Sequence, residues 1–586
     1  SKTGGIVLHD GQQYISFVDS RQAAAKATLK QNLEQERMWF NSTIYHELCR
    51  RKANGLTKEA AMAQIMAAVQ ADPMSMMKYA PMMGNLQSPD PKVVQKQLDD
   101  MSCKYMTWTE IAELLKNDPY CSVFASVFVK RSGDSDEVED GLPSDEIIDK
   151  YIQSIMVMYL AHRPASAASP ETLGLFETCY PQLKKIKLPK AVEDFNDLLD
   201  NPANQITEED WRNLMQVYLD YTVRSNQSFY LRIPGNDKID IFSTVRFATE
   251  KPRRRPFNKP KLEEGKVSTA RIVRYLCALI ARDDNTLTMN DAQRQYFHEI
   301  SAVIDALWET LTGDEYKILQ VGQRLDDSGH FVNEKDNAPR FNLNDLCFKL
   351  YNDVYLCDTK TDGNRHAVCL RPIGNNFKRF SPYLEGTTPV ELREDLHEQW
   401  EAFPYYKGTA KEGDKKTIES WAKTHRALLW NNNIWGTDGV FSDRLEDIHV
   451  FPNLFVQQEH TAQVDKSVAR GLQSKFKDHT INILACSTTM EMGVDLGNLE
   501  VVLLSSVPPL PANYKQRAGR SGRNNKVRSA CITLCGSDVI GLRTLSNPID
   551  KIISRPVRVP SVDLKSPQVI QRHANSFLVR AFGVFT

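Results

Sequence analysis

Several features that would assign this 586-residue chain to a simple class are absent from its sequence. No apolar run reaches the roughly 18–20 residues that a membrane-spanning helix needs. The best candidate, residues 151–162, is short and is interrupted by Gln153 and Ser154. The first residues, SKTGGIVLHDGQQ, contain no continuous apolar core of the kind that a secretory leader has. We therefore expect a cytoplasmic protein with no membrane partner.

A surplus of charge of either sign is also lacking. Lys and Arg number 73 and Asp and Glu number 74, which gives a formal net charge of −1. Any nucleic-acid binding must therefore be local rather than spread over the whole surface. The eleven cysteines include no CxxC pair. Cys347, Cys357 and Cys369 do not match common zinc-site spacing, so we expect reduced, mostly buried thiols and no metal site.

Two motifs that handle nucleoside triphosphates are missing. No GxxxxGK(S/T) phosphate-binding loop occurs, and the opening Ser-Lys-Thr-Gly has no strand before it. No DExH box follows a strand pattern, and the Asp-Glu pairs at 136–137 and 145–146 lie in or beside an acidic loop. This segment by itself is therefore predicted not to hydrolyse ATP.

The ordinary composition, with 41 % apolar and 25 % charged residues, predicts a folded protein of about four domains. Two segments at opposite ends of the chain alternate strand and helix patterns. The first has a strand pattern at 14–19, Ser20 as N-cap and a helix pattern from Arg21 to about residue 51. The second has strand patterns at 451–456, 481–486, 499–504 and 529–534, separated by helical or turn segments such as 464–477 and 512–521. Such alternation predicts an α/β fold with a doubly wound parallel sheet, whose ligands lie at the carboxyl ends of the strands.

Between these segments lies a large insert of different texture. Helical periodicity dominates it, for example at 58–70, 109–115, 145–161, 208–224, 269–282 and 291–312, with strand patterns at 229–247 and 316–370. We expect the start of the α/β lobe at 1–55, a mainly helical insert at 56–315 and a mixed α/β insert at 316–448. The rest of the lobe follows at 449–545, and an extension at 546–586 leads to a domain beyond this segment.

The strongest chemical signal is QRAGRSGR at residues 516–523. If this segment is helical, Arg520 and Arg523 lie three residues apart and point from one face. Two guanidinium groups on one face suit a triphosphate, because Arg binds phosphate oxygens with two parallel hydrogen bonds and stays charged. Gly519 and Gly522 would allow another backbone or a nucleotide to approach closely.

A second polar segment, STTMEMGVD, occupies residues 487–495 directly after a strand pattern. The hydroxyls of Thr488 and Thr489 can donate to a nucleic-acid phosphate. Gly493 and Asp495 can close a turn and present a carboxylate to a ribose hydroxyl. An ordinary Ser/Thr cap of a following helix is an equally good interpretation of this segment alone.

Together these segments resemble motifs VI and V of superfamily 2 helicases, and FVDSRQAAAK at 17–26 resembles their motif IV. The segment QEHTAQ at 458–463 matches the place of motif IVa. The resemblance implies the second RecA-like lobe, with Arg520 and Arg523 as arginine fingers on the ATP γ-phosphate and Gln516 at the nucleotide. It further implies that Gly493, Asp495 and Gly519 serve the nucleotide interface. Ser20, Arg21, Thr488, Thr489 and His460 would contact DNA, although a lone His after a strand is more often buried.

Weaker motifs extend the resemblance over most of the chain. HRP at 162–164, ETLGL at 171–175, FSPY at 380–383 and QRHAN at 571–575 resemble the large helicases of bacterial anti-phage systems, most of all the Druantia helicase and more distantly the DISARM helicase. This implies an ATP-dependent DNA helicase acting on single-stranded DNA or DNA with a single-stranded tail, with a possible defence-system partner subunit. A missing upstream lobe would hold most of the ATP and Mg²⁺ site. The alternative is a non-catalytic nucleic-acid-binding or scaffold subunit with the same fold.

A basic cluster at 251–261, KPRRRPFNKPK, is the third candidate. Its prolines favour an extended backbone on which Arg253, Arg254 and Arg255 could follow phosphates, and Phe257 could stack on a base. A solvated linker is at least as good an interpretation.

Overall fold

The computed structural model describes the greater part of the chain, and the structural statements below concern these residues. They are 13–18, 20–53, 58–71, 76–101, 105–128, 145–161, 170, 175–224, 229–230, 257–321, 339–350, 354–357, 372–374, 392–393, 454–461, 466–487, 499–522, 529–557 and 566–582. The chain divides into two compact units. The first, here called the lobe, comprises residues 1–33 and 454–586, and the second unit comprises residues 34–453.

The lobe is built on a five-stranded sheet. Its strands are β1 (Tyr14–Phe17), β2 (Gln457–His460), β3 (Ile483–Cys486), β4 (Val501–Leu504) and β5 (Ala530–Thr533). The spatial order is β2-β3-β1-β4-β5, and every neighbouring pair is parallel. The predicted parallel α/β lobe is therefore confirmed, with the N-terminal strand at its centre.

The sheet buries apolar side chains on both of its faces, as is typical of a parallel sheet that helices cover on both sides. One face of β1 places Ile15 and Phe17 in a core with Leu484 and Val502. The opposite face packs Ala485 against Val18 and Ala24. This two-sided burial explains why the strands occur in the sequence as short continuous apolar runs.

Five helices belong wholly or partly to the lobe: α1 (Arg21–Ala53), α2 (Lys466–Lys477), α3 (Pro511–Ala518), α4 (Val539–Ser546) and α5 (Pro567–Ala581). α1 begins in the lobe and continues into the second unit. A π-helical turn, Ile549–Ile553, follows α4. α5 has no buried residue.

One strand prediction is wrong in its described part. Residues 451–456 have the apolar composition of a strand, but residues 454–456 are not in a strand and β2 begins at Gln457, while residues 451–453 lie outside the described residues. Here the side chain of Asn482 binds the backbone. Its Oδ1 accepts a hydrogen bond from Val456 N at 2.7 Å, and its Nδ2 donates one to Leu454 O at 3.2 Å. Leu454 and Val456 are buried without being strand residues.

The second unit is mainly helical, as predicted. Its helices are Lys58–Ala71, Met76–Leu86, Pro91–Met101, Trp108–Asn117, Pro119–Phe128, Asp145–Met156, Lys190–Asn196, Glu208–Arg224, Arg271–Asp283, Met289–Gln295 and Phe297–Thr312, with a π-helical turn at Val157–Ala161 and 3₁₀ turns at Pro181–Lys185 and Leu343–Asp345. The single helix expected at 291–312 is in fact two helices, because the chain leaves helical geometry at Tyr296.

Three small sheets complete the second unit. Cys347–Leu350 lies between Tyr105–Thr107 and Phe176–Cys179, antiparallel to both. Pro339–Asn342 lies between Phe229–Tyr230 and Leu319–Val321, and Val354–Cys357 between Pro372–Gly374 and Leu392–Arg393. In the parts of the chain that the structure describes, no helix is long and apolar enough to cross a membrane.

Candidate functional site

The carboxyl ends of β1, β2 and β3 form one edge of the lobe. The register aligns Phe17 and His460 with Cys486, which lies between them. Because these strands are parallel, the residues that follow them, Ser20 after β1 and Ser487 after β3, lie at the same edge. The structure therefore brings together the start of the motif IV helix and the start of the motif V segment.

Ser20 caps α1 at this edge, as predicted. Its Oγ accepts from the amide of Ala23 at 3.2 Å, and its carbonyl oxygen accepts from the amide of Ala24 at 3.0 Å. The residue is exposed. Arg21 is the first residue of α1. A long helix that starts at an exposed edge presents amide donors suited to a phosphate oxygen.

His460 is buried at this edge, and its contact with nucleic acid stays a prediction. The residue is 6 % exposed, and its Nε2 lies 3.0 Å from Nε2 of Gln473. Burial lowers the pKa of the imidazole from its usual 6.5. Its Nδ1 has no hydrogen-bond partner among the described residues. The histidine is thus a buried group that positions the end of β2.

The arginine-rich motif leaves the helix earlier than its spacing predicts. α3 ends at Ala518, with Gly519 as its C-cap. The amide of Arg520 donates to the carbonyl of Arg517 at 3.1 Å, and Ser521 forms a parallel bridge with Leu499. The helical or turn segment predicted over 512–521 is thus a helix followed by a turn, and Arg520 lies in that turn rather than on a helix face.

This arginine turn, residues 519–522, requires glycine at Gly522. Its φ is +74°, in the left-handed region where L-residues with a Cβ are strained. A Cβ at this position would also collide with the hydroxyl of Ser529. The amide of Gly522 donates to the carbonyl of Leu499 at 3.2 Å, which fixes the turn against the chain just before β4.

The arginine turn lies at the opposite end of the strands from Ser20. Leu499 precedes β4, so its partners Ser521 and Gly522 lie at the amino end of that strand. The expectation that all the signature segments lie at carboxyl ends is therefore wrong for this motif. The reason is that α3 carries the chain back along the sheet after β4, as a connection between two parallel strands requires.

Arg517 is a functional candidate that the sequence reasoning missed. It is 4 % exposed, and its guanidinium carbon lies 5.3 Å from the ring centroid of Phe17 in β1. Arg520 is also buried, at 6 % exposure, and both arginines take part in further interactions. Helical spacing could have indicated this burial. Tyr514 lies three residues earlier, on the same face of the helix, and packs against the lobe core.

Other predicted residues have mixed outcomes. Gln516 and Gly519 are exposed. The following predicted residues lie outside the described parts of the chain: Thr488, Thr489, Gly493, Asp495, Arg523, Arg253, Arg254 and Arg255. Among the described residues, no group of three His, Cys, Asp or Glu side chains could hold a metal ion.

Base stacking by Phe257 is wrong. The ring is 2 % exposed and lies 5.9 Å, centroid to centroid, from the ring of Tyr218. Its amide donates to the carbonyl of Pro339 at 3.0 Å, which ties the segment into the second unit. Lys259, two residues later, forms an ion pair with Asp305. This end of the basic cluster is therefore part of a packed structure.

Comparison with known proteins agrees with the helicase resemblance. Residues 441–525 match the family model of the helicase conserved C-terminal domain. Over 144 residues the chain is 37 % identical to Druantia protein DruE of Escherichia coli (strain UMEA 4076-1). The matched stretch covers 22 % of this chain and 8 % of DruE. Over 116 residues the chain is 28 % identical to ATP-dependent helicase Lhr-Core of Saccharolobus solfataricus. This matched stretch covers 19 % of the chain and 13 % of that protein. Each match therefore spans only a small part of the relative's length.

Among solved structures, the DUF1998 helicase MrfA bound to DNA is similar over 28 % of this chain and 19 % of that chain. The sequence identity is 18 % and the TM-score is 0.19.

Proposed function

We propose that this chain carries the C-terminal lobe of a superfamily 2 helicase and belongs to an ATP-dependent DNA translocase of anti-phage defence. The match to the helicase conserved C-terminal domain and the likeness to Druantia protein DruE support this proposal. The observation that carries the proposal is the arginine turn, fixed by Gly522 on a five-stranded parallel sheet. Such a lobe works by closing on a partner lobe, which we expect to supply the phosphate-binding loop and the magnesium site.

The nucleotide side of the lobe is the arginine turn. We assign Arg520 and Arg523 to the γ-phosphate and Gln516 and Gly519 to the nucleotide interface, together with Gly493 and Asp495. ATP would supply the free energy of the cycle. The permanently charged guanidinium groups of this chain would stabilise charge that develops on the transferred phosphoryl group, an effect that an arginine supplied in trans typically brings at about 10³–10⁵ in rate. We assign Mg²⁺ to the partner lobe.

The DNA side is the opposite edge, where Ser20 and Arg21 begin α1 and Thr488 and Thr489 follow β3. These groups suit phosphate oxygens rather than base edges, so binding should depend little on sequence. The separation of the two sides along the strands gives each its own surface. Opening and closing of the nucleotide side would change how tightly the DNA side binds the phosphate backbone.

The test is DNA-stimulated ATP hydrolysis by the longest natural chain that contains this segment. Arg523→Ala should reduce hydrolysis at least about a hundredfold while DNA binding persists. Arg572→Ala, at an exposed position of α5, is the matched control and should retain activity. Comparing single-stranded DNA with RNA of the same sequence as the stimulating strand separates the two substrates.

If the natural chain binds DNA but never hydrolyses ATP, the translocase proposal fails and a nucleic-acid-binding subunit replaces it. If hydrolysis occurs but Arg523→Ala leaves it unchanged, the assignment of the arginine turn fails.

A further inference from the structure

We propose that four lysines of the second unit, Lys184, Lys185, Lys187 and Lys190, bind the phosphate backbone of nucleic acid. We call this surface the lysine ridge. It would give the protein a nucleic-acid contact outside the RecA-like lobe, and it rests on the proposed function in that DNA is taken to be the partner.

Local geometry explains how the ridge is displayed. Pro181–Lys185 form a 3₁₀ helix, which has three residues per turn. Tyr180, Leu183 and Ile186 recur at that period, and all three are buried. The residues between them, Lys184 and Lys185, and the following Lys187 and Lys190 are therefore exposed. An apolar face every third residue makes this a docked element whose outer face is basic, rather than a solvated linker.

Contacts from three directions fix the segment. Nε of Arg212 donates to the carbonyl of Ile186 at 2.8 Å. The ring of Tyr180 lies edge-on to that of Phe341, with centroids 5.2 Å apart. Nζ of Lys184 lies 5.9 Å from the ring centroid of Tyr105. A backbone that is already ordered loses little conformational entropy when a ligand binds.

The ridge segment itself contains no carboxylate. Glu208 lies near it, because Arg212 pairs with Glu208 and also donates to the carbonyl of Ile186. Residues 181–190, PQLKKIKLPK, contain four lysines and no acidic residue, in a chain whose net charge is −1. Some other lysines of the second unit have carboxylate partners, for example Lys116 with Asp149 at 2.8 Å and Lys266 with Glu263 at 2.6 Å. Within the described residues, none of the four ridge lysines has such an ion pair.

Lysine without an acidic partner suits a phosphate backbone in particular. Its ammonium is a compact point charge with three rotatable donors on a flexible stem, so it contacts phosphates without demanding a fixed geometry. Backbone contacts of this kind position a strand and carry no sequence information. Their free energy comes from counterion release, which makes binding fall as salt rises.

The experiment measures the salt dependence of binding to labelled single-stranded DNA of mixed sequence, with the full-length protein. The test variant is Lys185→Gln/Lys187→Gln/Lys190→Gln. The matched control is Lys58→Gln/Lys92→Gln/Lys317→Gln, at three other exposed positions of the second unit. Each lost phosphate contact should lower the slope of log K against log salt by about 0.7, so the test variant should lose about 2 and the control none. The thermal unfolding midpoint of each variant verifies that it is folded.

An unchanged slope in the folded test variant overturns the lysine ridge and leaves the proposed function standing, since the wild type still binds. An equal change in the control also overturns it, because the effect would then be one of net charge. If the wild type binds no DNA, both proposals are overturned. A ridge variant that loses binding to poly-glutamate while keeping the DNA slope would assign the surface to an acidic protein partner instead.

Discussion

Neighbouring arginines of QRAGRSGR differ in role because of where the helix ends. Arg517 is the last but one residue of α3, and its side chain lies inside the lobe against Phe17. Arg520 lies two residues beyond the helix in a turn held by Leu499. Sequence spacing alone treats them alike, since both have the same side chain within one motif. The difference comes from the C-cap at Gly519, which redirects the chain.

His460 should make the stability of the lobe depend on pH. Burial lowers its pKa in the folded state below the 6.5 expected for the unfolded chain. The unfolded chain therefore binds the proton first, and the free energy of unfolding is greatest above about pH 6.5 and decreases as pH falls through the folded pKa. His460→Gln should flatten this decrease. Hydrogen exchange of the β2 amides, measured between about pH 5 and 8 in the wild type and in His460→Gln, tests this prediction. An equal pH dependence of the free energy of unfolding in the two proteins would contradict it.

At the scale of elements, a cation–π contact joins the central strand to the motif VI helix. Phe17→Leu and Arg517→Met should each destabilise the lobe, and the double variant should lose less than the sum. The expected coupling is about 0.5–2 kcal/mol, because the guanidinium is buried over the ring. Native-state hydrogen exchange of the β1 amides measures the loss of stability in each single variant and in the double variant. Strictly additive losses would mean that the two side chains do not stabilise one another.

Elements were predictable from sequence where one physical signal dominated. β3 and β4 lie inside predicted runs because two-sided burial makes a parallel strand apolar throughout. Residues 454–456 belong to a run of the same composition, yet the strand begins later, where the side chain of Asn482 binds the backbone of Leu454 and Val456. Composition carries no information about such a long-range contact. The change from helix to turn after Ala518 is followed by another long-range contact, the bridge between Leu499 and Ser521, which local composition does not indicate.

In the candidate site, too, local sequence predicted the contacts between residues near in the chain and did not predict those between distant ones. The capping role of Ser20 is local, within three residues, and the sequence predicted it. The burial of His460 and Phe257 depends on neighbours far away in the chain, Gln473 and Tyr218. Motif resemblance identified the arginine-rich segment but could not place it at the amino end of β4.

For the whole molecule, the position of β1 should set the order in which structure forms. β1 pairs only with β3 and β4, which lie beyond the entire second unit in sequence. A chain ending at residue 453 should therefore protect the amides of helix Phe297–Thr312, whose core lies within the second unit, and leave those of β1 unprotected. Hydrogen exchange read by mass spectrometry checks this. Protection of β1 in the shortened chain would contradict it.

The same central strand has a consequence for protein synthesis. At about 5–20 residues per second, a ribosome needs roughly 25–90 s to travel from residue 17 to residue 483. Throughout that interval the nascent chain carries Ile15 and Phe17 on a strand with no neighbour, next to a second unit that can already fold. Such an unpaired apolar strand is a site for aggregation or chaperone binding. Slower translation of the region between β1 and β3 should therefore lower the yield of folded lobe while sparing the second unit.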